Sequence, residues 1–115
     1  MDLDPALAQA LRSDLAQETV TEKPMFGGLC FLSNGHMICG LHKGGTMYRV
    51  GKHGQTAALG LPGTRAMTMG NRPMRAMVEL SLEDSTDPRM RHPLITLALG
   101  TVRALPPMVA KPKKR

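Results

Sequence analysis

Near the start of the chain, Leu7, Leu11 and Leu15 recur at four-residue spacing, while Arg12, Asp14 and Gln17 fall off that stripe. This is the pattern of an amphipathic surface helix of about three turns. Asp4 offers a side-chain acceptor to the first free amides, and Pro5 suits the first helical position, where no amide is needed. From Thr19 to Lys23 the period shortens, and TVTEK reads as a strand ending near Pro24.

The next stretch, Met25 to Gly40, reads MFGGLCFLSNGHMICG. Asn34-Gly35 between two apolar runs is a strong hairpin signal, because both residues tolerate the positive φ of a type I′ turn. It predicts antiparallel strands over Leu29–Ser33 and His36–Leu41. A second turn at Lys43-Gly44-Gly45 leads into a strand over Thr46–Val50, which makes a meander. Residues 54–61 read as a short helix stopped by Pro62-Gly63. Residues 66–69 and Met77–Leu82 read as strands, with a turn at Gly70-Asn71-Arg72-Pro73 between them. Asp87-Pro88 opens a last helical region in which Met90, Leu94, Leu97, Thr101 and Leu105 keep helical spacing. Pro93 should restart or kink it, since proline lacks an amide and crowds the preceding turn. Pro106-Pro107 ends it.

The result is a two-layer α+β domain: an antiparallel sheet around the Asn34-Gly35 hairpin, with N-terminal, middle and C-terminal helices. Residues 1–108 form the domain, and 109–115 a basic, disordered tail. Both faces of the hairpin are apolar, Leu29, Phe31 and Ile38 on one and Cys30, Leu32, Met37, Cys39 and Leu41 on the other. An antiparallel sheet usually turns one polar face to water. Two apolar faces point to cover from the chain's own helices, or to a homodimer or partner surface on which adaptable Met side chains pack.

At 115 residues with 42% hydrophobic and 21% charged side chains, the chain is an ordinary small globular protein. No apolar run reaches the roughly 20 residues of a membrane helix, and the acidic N-terminus is unlike a signal peptide. Two cysteines without an export signal fit a reducing cytoplasm. The net charge of +6 is unevenly placed. Setting aside Lys111, Lys113, Lys114 and Arg115 leaves 11 cationic side chains against 9 acidic ones.

This placement suggests weak, salt-sensitive, sequence-independent contact with nucleic acid through the tail, extended by Arg49, Lys52, Arg72 and Arg75 if their loops meet. Aromatics are only 3%, which argues against a base-stacking platform. A two-residue turn at 34 and 35 places Cys30 opposite Cys39 as a non-hydrogen-bonded pair, with Cα atoms about 4.5 Å apart. That is disulfide reach, the geometry of a thiol redox switch, although free Cys more often serves as a small buried hydrophobe. The same alternation sends His36 and His42 to the other face, so the four do not converge as metal ligands. Phosphate-loop and dinucleotide glycine patterns are absent. No catalytic set, metal site or cofactor follows from these residues, and a non-enzymatic protein is expected.

Taken in order, Met25-Phe26-Gly27-Gly28, Phe31, Asn34-Gly35, Met37, Gly40, Arg49-Val50-Gly51, Pro62-Gly63, Arg72-Pro73-Met74 and Leu105-Pro106-Pro107 resemble the TfoX/Sxy N-terminal domain family. The resemblance implies a stand-alone copy of the N-terminal domain of bacterial competence regulators, which promote DNA uptake with the cyclic-AMP receptor protein at promoters. It implies a protein partner on the transcription machinery and no catalytic residues. Against the family pattern, Asn71 stands where Gly is usual, Ala76 where Gly is common, and Leu94 where the last helix often has Trp.

Overall fold

A computed structural model describes residues 3–25, 27–69 and 71–105. Among them the order is α1 (Pro5–Asp14), β1 (Thr21–Met25), β2 (Gly28–Ser33), β3 (His36–His42), β4 (Gly45–Arg49), α2 (Gly51–Leu59), β5 (Arg65–Met69), β6 (Arg72–Ser81), α3 (Leu82–Ser85) and α4 (Pro88–Arg103). The strands form one open sheet in the order β1-β2-β3-β4-β6-β5, with every neighbouring pair antiparallel. The expected α+β architecture is the one observed. The expected tail, residues 109–115, lies outside the described residues, as does Pro106-Pro107.

Local chemistry explains most boundaries. Asp4 Oδ1 accepts the Ala6 amide at 2.9 Å and starts α1, whose Leu7, Ala8 and Leu11 are buried. β1 begins and ends two residues later than expected and contains Pro24; as an edge strand it tolerates a residue that cannot donate. Asn34 and Gly35 adopt φ of 53° and 85°, as a type I′ turn requires. Glycine is obligatory at two crossings. A Cβ at Gly28 would stand 2.0 Å from Leu41 O, and one at Gly45, where φ is 139°, would stand 2.0 Å from Leu80 O.

Three expectations need correction. The hairpin register slips between Phe31 and Leu32, so Cys30 opposes Gly40, and Cys39 opposes Phe31. The bulge places one extra residue in β3, which turns the outer half of the hairpin by one side-chain position. The strand expected over Met77–Leu82 is longer and earlier, and it stops at Ser81 because that side chain accepts the Asp84 amide and caps α3. The last helix buries Arg91, Leu94, Ile95, Ala98 and Val102, not the stripe through Met90, Leu97 and Thr101. It continues through Pro93, which lies on the exposed side.

The core has two parts on opposite sides of the sheet. On the helical side, Leu7, Leu11 and Leu15 pack with Phe31, Ile38, Cys39, Tyr48, Val78, Leu94 and Ala98. On the other side, Cys30, Met37, Met47, Met67 and Met77 form a second cluster, joined by Met25, Leu32 and Met74. Among the described residues, each of the six strands contributes to it and none of the helices does. Cys30 and Met47 are nonetheless wholly buried. One apolar face is thus covered by helices, and on the other the strands' own sulfur-bearing and aliphatic side chains pack on one another among the described residues.

Candidate functional site

The methionine face is built around an irregularity. Between β5 and β6 the register passes from Ala66 opposite Val78 to Met67 opposite Met74, leaving residues 75–77 looped out of the β5 ladder. Carbonyls in this segment need other donors. Gln55 on α2 supplies them, its Nε2 donating to Met74 O at 3.1 Å and Met77 O at 3.0 Å, while the Val50 amide donates to Ala76 O at 2.9 Å. In front of this bulge lies a recess of about 250 Å³ lined by Met25, Met37, Arg49, Ala76 and Met77.

Arg49 is the last residue of β4, paired in register with Met77, and is half-buried. Among the described residues it has no hydrogen-bond or ion-pair partner; Lys52, Arg72 and Arg75 likewise have none, but they are exposed where Arg49 is half-buried. Further along the same face Glu79 answers Arg65 at 3.3 Å and His42 Nε2 at 3.7 Å. His42 Nδ1 accepts the Gly44 amide at 2.9 Å, which fixes the ring with Nε2 toward that carboxylate.

A second surface lies on the helical side. Val50, Lys52, His53, Leu97, Thr101 and Leu105 are among the residues lining a groove of about 470 Å³ between the start of α2 and the end of α4. Thr101 Oγ1 donates to Val50 O at 2.8 Å and ties the two helices together at its floor. Gly100 is exposed in the groove, and a Cβ there would meet nothing within 4 Å.

Between these surfaces the buried polar groups are spent on the fold. The Ser85 hydroxyl donates to Ser81 O at 2.7 Å and accepts the Thr46 amide at 3.0 Å. With its single proton committed, Ser85 accepts from Thr46 Oγ1 at 2.8 Å, and Thr46 in turn accepts from Tyr48 at 2.8 Å. Burial holds the Tyr48 phenol well above its ordinary pKa. Arg91 donates to Ser85 O at 3.1 Å and to both oxygens of Asp14. These residues satisfy one another and leave no nucleophile beside a free base.

The bulge in β3 decides the cysteine question. Cys30 sits among the methionines and Cys39 among the helix-facing residues, so the expected opposed pair is not formed, and both thiols are free and buried. Burial pushes the Cys30 thiol up to about 11 and the Cys39 thiol higher still. The same register puts His42 on the side of Cys30, separating the two cysteines instead of grouping them against the histidines.

Of the expected anion-binding cations, Arg49, Lys52 and Arg75 belong to adjoining segments at one corner: the end of β4, the first turn of α2 and the bulge of β6. Arg72 starts β6 opposite Met69. Lys111, Lys113, Lys114 and Arg115 lie outside the described residues. No three His, Cys, Asp or Glu side chains gather as metal ligands among the described residues. Nor is any described helix long and apolar enough to cross a membrane. Residue-by-residue reading missed the recess, although the alternation of Met67, Met47 and Met37 with other residues along the strands signals a methionine face.

A single antiparallel sheet, with helices on one face and methionines on the other, defines an α+β domain. Within that class, the family model of the TfoX N-terminal domain matches residues 13–101, and the chain belongs to that family. No curated protein and no solved structure matches the chain. Membership points to a regulatory domain of the competence-related kind.

Proposed function

We propose that this domain is a non-enzymatic regulatory module that acts by binding a protein partner, on the transcription machinery of a bacterial cytoplasm, through the groove between α2 and α4. The observation that carries the reading is the groove itself. It leaves Leu97 and Leu105 half-buried on a face with no further layer over it among the described residues, while Lys52 and His53 rim it. An apolar floor with a polar rim is the usual anatomy of a protein interface. Family membership supplies the regulatory context.

Gly100 makes the reading testable without disturbing the core. Gly100→Arg places a long side chain across the groove from a position with open space around it. Affinity capture from the native host with the wild-type chain should retain a discrete partner, and Gly100→Arg should lose it while unfolding at the same or higher temperature. Light scattering of the purified chain fixes whether the partner is a second copy. Equal capture by both forms rejects the groove as the contact surface, and turnover of a substrate by the purified chain rejects the regulatory reading.

A further inference from the structure

We propose that the recess between the end of β4 and the bulge of β6 is a binding site for a small amphipathic organic anion, an apolar body of about eight to ten heavy atoms bearing one carboxylate. Shape sets the size: about 250 Å³ corresponds to roughly eight water-sized groups at about 30 Å³ each. The walls set the body. Met25, Met37 and Met77 present thioethers whose three rotatable bonds let them close on ligands of differing outline. Small-molecule sites commonly have this construction, an apolar concavity with one or two polar groups to fix orientation.

Arg49 sets the head group. It is the one charged residue lining the recess, and it is half-buried with no acidic partner among the described residues. Arg12, Arg89 and Arg103 pair with Glu22, Asp87 and Glu18 even at the surface, and Arg72 and Arg75, which have no such partner among the described residues, stand exposed to water, so Arg49 is half-buried without either relief. A partly desolvated guanidinium without a counter-anion is unfavourable, and its planar fork of donors matches a carboxylate with two parallel hydrogen bonds. Arg75, exposed on the adjoining bulge, adds a second positive charge near the mouth. The bulge itself is held from behind by Gln55, so the floor is fixed while the methionine walls adapt. Bulges occur often beside functional sites, where they re-aim side chains.

The site lies across the sheet from the α2–α4 groove, so its test is independent of capture by Gly100 variants. Protein labelled with ¹³C at the methionine methyl groups is titrated separately with octanoate and with 1-octanol, its neutral counterpart. Octanoate should shift the methyl signals of Met25, Met37 and Met77 saturably and leave that of Met90, which lies on the helical side, in place. Octanol should bind about tenfold more weakly or worse, the value of a charge-assisted hydrogen bond. Arg49→Gln should erase the difference between the two while the Met47 methyl signal reports an intact cluster. Should that variant not fold, the octanoate-to-octanol ratio of the wild type decides alone. The proposal is overturned by equal affinity for the two ligands, by discrimination that survives in Arg49→Gln, by shifts that include Met90, or by no saturable shift.

Discussion

Arg91 on α4 and Asp14 at the end of α1, 77 residues apart, meet in a buried two-point contact of 2.7 and 3.3 Å. Their side chains are 7% and 6% exposed, so neither charge has water to fall back on. A carboxylate at a helix C-terminus also opposes the helix dipole, which makes Asp14 depend on Arg91 and on His92 Nε2 at 3.0 Å. Removing one partner of such a pair strands the other. Arg91→Met should cost about 3–5 kcal/mol in urea unfolding, and the Asp14→Leu/Arg91→Met double variant should lose clearly less than the two single losses together. Additive losses would mean that the contact holds the helices together by packing alone.

Two glycines should respond to the same substitution with opposite signs. At Gly45 the positive φ and a Cβ only 2.0 Å from Leu80 O force β4 away from β6, so Gly45→Ala should cost about 3 kcal/mol or more. At Gly100, inside α4 with nothing near, Gly100→Ala should stabilise by about 0.5–1 kcal/mol through helix propensity. Thermal unfolding of both variants checks the pair together.

How much of this was legible in the sequence differs from element to element. Asn34-Gly35 carries its turn in its own backbone preferences, and Asp4 and Asp87 carry their caps, so these features are local and readable. The relation of Cys30 to Cys39 is not, because one bulged residue in β3 reverses a two-residue alternation and nothing beside it announces the slip. The stripe of α4 is obscured for another reason. Arg91 reads as a surface residue until its partner Asp14 is found, and that partner lies at the far end of the chain. The recess draws on β1, β3, β4 and β6, so the methionine pattern marks an apolar face but not the bulge of β6 in front of which the recess lies.

The buried thiols set the alkaline limit of stability. Burial raises Cys30 from 9.0 to about 11, and raises Cys39 further, with the charges of Asp14 and Cys30 adding to it. An acid group whose folded pKa is raised loses its proton first in the unfolded chain. Its stabilising effect is thus complete below about pH 9 and is lost as pH rises through 11 and beyond, with Tyr48 joining above its ordinary 10.0. Each such group steepens the loss by about 1.4 kcal/mol per pH unit. Urea midpoints should be flat from pH 7 to 8.5 and fall by pH 10.5, and Cys39→Ala should flatten the fall. Mild oxidation with diamide should give no intramolecular disulfide, since the thiols occupy opposite sides of the sheet.

The last expectation concerns the basic end of the chain. Lys111, Lys113, Lys114 and Arg115 hold four positive charges in five residues, whereas the remaining side chains are nearly balanced. Four neutralised phosphates predict a salt slope of about −3 to −4 in log K against log salt, independent of sequence. Duplex DNA should therefore be retarded weakly at low salt and released at physiological salt. Deleting residues 111–115 should abolish the retardation, because the cations left at one corner, Arg49, Lys52 and Arg75, are only three, and the one aromatic side chain in their segments, Tyr48, is buried and cannot stack on a base. Retardation that survives the deletion with an unchanged salt slope would move the contact to that corner, beside the methionine-lined recess.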